Sequence, residues 1–217
     1  MDITNRTVLV LGGGGLVGSA ICRKIVDEKP RRIVVATLTR AEAEDAIAVF
    51  RKEFPRAGKN YFVPWWGNIF VRSELKDTKR EDIVNDPRTR TMLIDDMLDE
   101  LTESVIRRSA IFHIISKFKP DIIIDCINSA TAIAYQDIFA SDRTVRQSLK
   151  KSKSNHAASD SLSESVERLL CTLYTPQLIR HVQLLYRSMH VSGTKIYVKI
   201  GTSGTGGMGL KDRKSVV

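Results

Sequence analysis

The stretch Thr7–Ile25, TVLVLGGGGLVGSAICRKI, decides how the whole chain is read. Val8 to Leu11 is a short apolar run rich in β-branched residues, the pattern of a strand buried on both faces of a parallel sheet. Gly12, Gly13, Gly14 and Gly15 follow at once, then Gly18. Leu16, Val17, Ala20, Ile21 and Ile25 fall at helical spacing. Strand, glycine turn and helix in that order are the context in which a glycine fingerprint holds a dinucleotide. Glycine is needed there because the strand must reverse tightly, the backbone must approach a pyrophosphate, and the helix must pack closely on the strand. The helix N-terminus adds free N–H groups and a partial positive charge. Gly15 is expected to exclude a side chain both through the phosphate contact and through a positive φ. No Gly-Lys-Ser/Thr closes the run, which excludes a P-loop.

Two registers of the fingerprint fit: Gly13-x-Gly15-x-x-Gly18 and Gly12-x-x-Gly15-x-x-Gly18. The second resembles the glycine motif of the extended and atypical short-chain dehydrogenases/reductases, the epimerase/dehydratase-like branch. That resemblance implies an NAD(P)-binding Rossmann domain, an α/β doubly wound parallel sheet with strand order 3-2-1-4-5. Gly12, Gly13, Gly15, Leu16, Val17 and Gly18 are then the cofactor-binding turn.

Downstream, Arg32 to Leu38 reads as the second strand. Its end lies about twenty residues past the last glycine, where this fold places its ribose reader. An acid there would accept from both ribose hydroxyls and repel a 2′-phosphate. Thr37, Thr39 and Arg40 stand there instead, with no acid until Glu42. A cation without an opposing carboxylate suits a 2′-phosphate, so NADP is favoured, with NAD still open. The same Thr39-Arg40-Ala41-Glu42 also reads as a capping box, with Arg40 an exposed first-turn residue. Ala41 to Phe54 forms a helix ended by Pro55. Tyr61 to Trp65 is the third strand, Pro64 suiting a sheet edge. In Gly67-Asn68-Ile69 the resemblance places Asn68 where the family commonly has an Asp on the adenine, with Ile69 supplying the next backbone group. Residues 72–100 read as an insertion, helical from about Thr89. Asp95, Asp96, Asp99 and Glu100 read as a solvated acidic face, since hard cations need ligands converging from a turn. Leu101 to Phe118 reads as one long amphipathic helix.

Asp121 to Ile127 is the fourth strand, apolar except for Asp125, and Ala132 to Ala140 continues as helix. Between them, Asn128, Ser129, Ala130 and Thr131 match the position of the family's Asn/Ala-rich turn on the nicotinamide-side ribose. Residues 143–165, rich in Ser and Lys, read as a flexible surface loop. Val166 to Tyr174 is a helix, and Thr175-Pro176 caps the next one. That helix carries Leu178, Ile179, Val182, Leu185, Tyr186 and Met189 along its apolar face. Thr194 to Ile200 is the fifth strand, followed by a Gly/Ser/Thr turn. There the resemblance gives Ser203 the catalytic hydroxyl position, with Thr202 and Thr205 beside it; an ordinary loop is the alternative.

The family's Tyr-x-x-x-Lys is missing. Tyr61, Tyr135, Tyr174, Tyr186 and Tyr197 are followed four residues on by Trp65, Phe139, Leu178, His190 and Gly201. Without a neighbouring lysine, a phenol with a pKa near ~10 is a poor proton donor-acceptor at neutral pH. The chain as given is therefore expected to be catalytically silent. Residues 1–210 read as the NAD(P)-binding domain. Residues 211–217 resemble what a sequencing-adapter oligonucleotide encodes, a natural basic tail being the alternative.

An apolar share of 42% in 217 residues suits one domain of ordinary size. No run of about eighteen apolar residues suggests a membrane span, and no apolar leader opens the chain. Cys22, Cys126 and Cys171 sit in apolar patterns and read as buried thiols of a reducing compartment, so a cytoplasmic protein is expected. The net charge of +9 is scattered over helix faces apart from Arg143, Arg146, Lys150, Lys151 and Lys153, and no aromatics interleave that cluster. Nucleic acid is not the expected partner. His113, His156, His181 and His190 show no metal spacing, and no metal is expected. The expected ligands are NADP and an unread small-molecule substrate, and a homodimer is left open. The resemblance implies an NAD(P)-dependent oxidoreductase or epimerase/dehydratase. A non-catalytic NADP sensor is the alternative. A methyltransferase using S-adenosylmethionine would carry an acid where Leu11 stands.

Overall fold

The computed structural model describes residues 2–128, 138–154 and 159–201. Five parallel strands form one sheet in the order β3-β2-β1-β4-β5. They are β1 (Thr7–Leu11), β2 (Arg32–Thr37), β3 (Phe62–Trp66), β4 (Ile122–Asp125) and β5 (Ile196–Lys199). The architecture is the doubly wound α/β sheet expected from the glycine stretch. β1 sits at its centre, wholly buried, with Val8 paired to Ile33 on one side and to Ile122 on the other. The chain steps outward through β2 and β3, then returns across β1 to lay down β4. The reversal leaves a crevice above the carboxyl ends of β1 and β4, where sheets of this kind bind ligands.

Alternation along the strands sorts the core into two layers. Val8, Val10, Ile33 and Val35 face Cys22 of α1 (Leu16–Ile25) and Ile47 and Phe50 of α2 (Arg40–Glu53). Leu9, Leu11, Val34 and Ile123 face α5 (Glu103–Arg108), α6 (Ala110–Phe118) and α9 (Tyr174–Ser192), chiefly through Ile111, Ile114, Ile115, Leu184 and Leu185. At the amino ends of the strands, Asp121 joins β4 to β1 by accepting from the Thr7 N–H at 2.9 Å.

Several expectations are corrected. Residues 72–100 are helical before Thr89. They hold α3 (Arg80–Asn85) and α4 (Pro87–Leu98), with Asp86 capping the Thr89 N–H and Pro87 in the first turn. Val71, Leu75, Ile83 and Leu93 form a small cluster of their own with Cys171. Asp96 is no solvated acid; it accepts from Arg72 at 2.7 Å and from Arg108 at 2.6 Å. The expected single helix Leu101–Phe118 is two helices. Ser109 is extended between them because it bridges to Arg72, and its hydroxyl caps the Phe112 N–H at 3.2 Å.

The supposed loop 143–165 is also corrected, since it falls mostly within α7 (Ile138–Ser154) and α8 (Ser159–Leu170). Ion pairs at helical spacing, Asp142–Arg146 and Glu164–Arg168, support these helices, and a buried contact between the Ser148 and Ser165 hydroxyls joins them. α9 starts at Tyr174, with Leu173 and not Thr175 at the cap. Its buried face is Gln177, His181, Leu184, Leu185 and Ser188, while Ile179, Val182 and Tyr186 are exposed. The rotation brings the His181 ring to 4.5 Å from Phe70.

Candidate functional site

The glycine turn joins β1 to α1 at the crevice. Gly12 has φ +74°, a left-handed value that favours glycine, and a Cβ there would stand 3.3 Å from the Cys126 carbonyl carbon. The Gly13 N–H donates to the Ala36 carbonyl at 2.9 Å and ties the turn to β2. Gly18 is the point of closest helix–strand approach, where an added Cβ would lie 2.1 Å from the Gly12 oxygen. Gly15 differs from what its sequence position suggests. Its φ is −73°, so no positive φ is present to demand glycine. A Cβ there would meet only the Gly12 oxygen, at an ordinary 3.4 Å. α1 begins on Gly15 with no side-chain cap and no acid in its first turn, and the Leu16 and Val17 side chains are exposed beside it. The result is a bare positive helix end at the crevice.

The carboxyl ends of β2 and β3 lie beside this turn. Thr39 caps α2 in a reciprocal box with Glu42. Arg40 does have an opposing carboxylate, contrary to expectation, because Glu44 stands one helical turn on. The Arg40 Nε donates to it at 2.7 Å, and the guanidinium lies 5.4 Å from the Trp66 ring centroid. The Asn68 Oδ1 accepts from the Phe70 N–H at 2.9 Å, which turns the side-chain oxygen inward. Ile69 is buried in the core, so only its backbone can serve a ligand.

On the other side of the crevice lies a constellation that sequence reading missed. Asp125 closes β4 with a side chain only 2% exposed. Its Oδ2 accepts from the Tyr197 hydroxyl and from Lys199 Nζ, both at 2.8 Å. Its Oδ1 accepts from the Ile127 N–H at 2.9 Å, and Lys199 Nζ also donates to the Ile127 carbonyl at 2.6 Å. Burial, with the Asp125 charge and hydrogen bond, pushes the Tyr197 pKa up, so its phenol stays a donor. Burial and the same charge push the Cys126 thiol up to about 11, which keeps it from acting as a thiolate. The signal was present as alternation in Tyr197-Val198-Lys199, which puts two polar side chains on the β5 face beside the one acid of β4. Asn128 is exposed at the turn, while Ser129, Ala130, Thr131, Ser203 and Thr205 lie outside the described residues.

Two other concavities stand apart from the crevice. One of about 540 Å³, lined by Arg31, Arg32, Asn60 and Val63, opens at the amino ends of β2 and β3. Its arginines are already engaged, Arg31 with the Thr7 hydroxyl at 2.7 Å and Arg32 with the Phe118 carbonyl at 2.7 Å. The other, about 20 Å³, lies under α9 among His181, Arg180, Gln177 and Asp96. Burial lowers the His181 pKa to about 4, so the ring is neutral at pH 7.

No family model matches the chain. A curated relative, the capsular polysaccharide biosynthesis protein CapD of Staphylococcus aureus, is 28% identical over 82 residues, which is 37% of this chain and 13% of that protein. Among solved structures, Pen from Bacillus thuringiensis is similar over 96% of this chain and 55% of its own, at 14% identity and a TM-score of 0.38. L-Sorbose reductase from Gluconobacter frateurii, solved with NADPH and L-sorbose, is similar over 92% of this chain and 97% of its own, at 8% identity and a TM-score of 0.30. The chain thus spans about half the length of Pen, and its match to CapD covers a small part of that protein. Among the described residues, no helix is long and apolar enough to cross a membrane.

Proposed function

We propose that this chain binds a nicotinamide dinucleotide across the Gly12–Gly18 turn, NADP in preference to NAD, as part of an NAD(P)-dependent oxidoreductase or epimerase/dehydratase of the short-chain dehydrogenase type. The observation that supports this most is Gly15. The fold itself would accept a side chain there, yet the position is bare and sits at an uncapped helix start, where a phosphate would need the backbone. The N–H groups of Leu16 and Val17 would hold the pyrophosphate. Arg40, once released from Glu44, would take a 2′-phosphate bidentately. The Asn68 amide would serve the adenine, and Asn128 with Ser129, Ala130 and Thr131 the far ribose. Ser203 and Thr205 are the proposed substrate-facing hydroxyls. When bound, the cofactor would supply the hydride chemistry; the substrate is a small molecule.

The test is titration of NADPH into the unmodified chain and into Gly15→Val. The variant should lose binding while its helical circular dichroism persists. Equal affinity in both proteins refutes the assignment.

A dinucleotide-binding sensor without turnover is the second reading, and Tyr197 favours it. The Tyr197 phenol is held as a donor to Asp125 and stays un-ionised, so it cannot stand in for the missing acid/base tyrosine.

A further inference from the structure

We propose that Asp125 and Lys199 are positioning residues that clamp the turn after β4 against the glycine turn, and so shape the crevice for the part of the dinucleotide beyond the pyrophosphate. This rests on the dinucleotide reading above.

The ladder of β4 ends at Asp125, and the last backbone bond across to β1 runs from the Cys126 N–H to the Leu11 carbonyl. Past that point the chain needs other partners. Ile127 finds them in one ion pair, its N–H held by Asp125 at 2.9 Å and its carbonyl by Lys199 at 2.6 Å. The clamped segment is the wall facing the glycines. The Cys126 carbonyl carbon and Ile127 Cγ1 both lie 3.3 Å from where a Gly12 Cβ would stand. A shift of this turn would therefore alter the crevice directly.

The charges are hard to explain as mere strand glue. A buried carboxylate is unfavourable unless paired and hydrogen-bonded, and an apolar pair often joins strands as well or better. Here the pair spans β4 and β5 at the ligand-binding edge of the sheet, and Tyr197 fills out the coordination of Asp125. An apolar pair could not grip both backbone polar groups of a residue that has left the ladder.

The experiment compares two ligands on the full 217-residue chain. NADPH spans the crevice; 2′,5′-ADP carries the adenosine half alone. The variants are Lys199→Met and the neutral pair Asp125→Asn/Lys199→Gln, which leaves no lone buried charge should the single change prevent folding. Both should bind 2′,5′-ADP within about twofold of the unmodified chain yet bind NADPH about tenfold more weakly or worse. Lys199→Arg, which keeps a cationic donor, should restore most of the NADPH affinity. NADPH affinity unchanged in the folded variants overturns the proposal, and so does an equal loss for both ligands, which would mark a general structural role. If the unmodified chain binds neither ligand, the dinucleotide reading falls, and the proposal with it.

Discussion

Gly18→Ala and Gly15→Ala differ by one methyl group each, and the structure gives them opposite consequences. At Gly18 the new Cβ would lie 2.1 Å from the Gly12 oxygen, 2.7 Å from the Gly12 carbonyl carbon and 2.8 Å from the Gly13 Cα. All are well inside the separation of about 3.5 Å at which such atoms rest. The obstruction is backbone on both sides, so α1 and the turn must move apart. Overpacking of this kind costs about 1–3 kcal/mol, and the rigid surroundings place Gly18 at about the upper end. Alanine returns up to about 1 kcal/mol of helix propensity. The net loss is about 2 kcal/mol, a fall in Tm of about 4–8 °C for a chain of this size. At Gly15 the φ of −73° suits any residue and the nearest contact is 3.4 Å. Losing a good N-cap and gaining a stiffer unfolded chain nearly cancel there, leaving about 0.5 kcal/mol either way. Thermal unfolding followed by circular dichroism, with NADPH titration of each protein, reads both effects. Gly18→Ala should melt early; Gly15→Ala should melt like the parent and bind poorly. A Gly18→Ala protein as stable as the parent, or a Gly15→Ala protein that melts earlier than Gly18→Ala, would refute the reasoning.

The ring of His181 supplies a pH test. Its folded pKa of about 4 lies below the ordinary 6.5, so its stabilising contribution is full above pH 6.5 and is lost as pH falls toward 4, in all about 3 kcal/mol. Urea unfolding across that range should show a shallower slope for His181→Leu, and identical slopes would refute the assignment. Ser109→Ala removes the α6 cap and the bond to the Ile106 carbonyl, and should cost about 1–2 kcal/mol in the same urea assay. Arg40→Ala should weaken NADP binding by calorimetry and leave NAD within about twofold, whereas Glu44→Gln should tighten NADP by freeing the guanidinium. Parallel losses for both cofactors would return Arg40 to its role on α2.

The parts of this molecule legible from its sequence are those set by neighbours along the chain. The strand–glycine–helix unit and the Thr39–Glu42 box follow from local pattern, and the strand order from the family resemblance that the glycine pattern carries. What stayed hidden depends on partners far away in sequence. Ser109 breaks a helix that its neighbours would have continued, because Arg72 pairs with it across the fold. Residues 143–165 look like a loop by serine content, yet the charge pairs Asp142–Arg146 and Glu164–Arg168 at its two ends keep helical spacing. The face of α9 turned inward mixes Leu184 and Leu185 with Gln177, His181 and Ser188, and leaves Ile179, Val182 and Tyr186 outside, a choice that hydrophobic spacing along the helix does not make. Asp125 appeared as a flaw in an apolar strand. Only the register of β4 with β5 brings it to Tyr197, 72 positions on, and to Lys199, 74 positions on.

The register of the central strand also sets a schedule for making the molecule. β1 meets β2 across contacts such as Arg31 to Thr7, 24 positions apart, whereas Thr7 and Asp121 are 114 positions apart. Closing the shorter loop costs about 3 kcal/mol of chain entropy and the longer about 4, a difference worth roughly a tenfold change in the odds of encounter. A chain leaving the ribosome at about 5–20 residues per second holds its glycine turn for many seconds before Cys126 and Ile127 exist to cover it. For that interval β2 holds the Gly13 N–H through the Ala36 carbonyl, but the face of the turn that Cys126 and Ile127 will cover meets only water, or a passing anion.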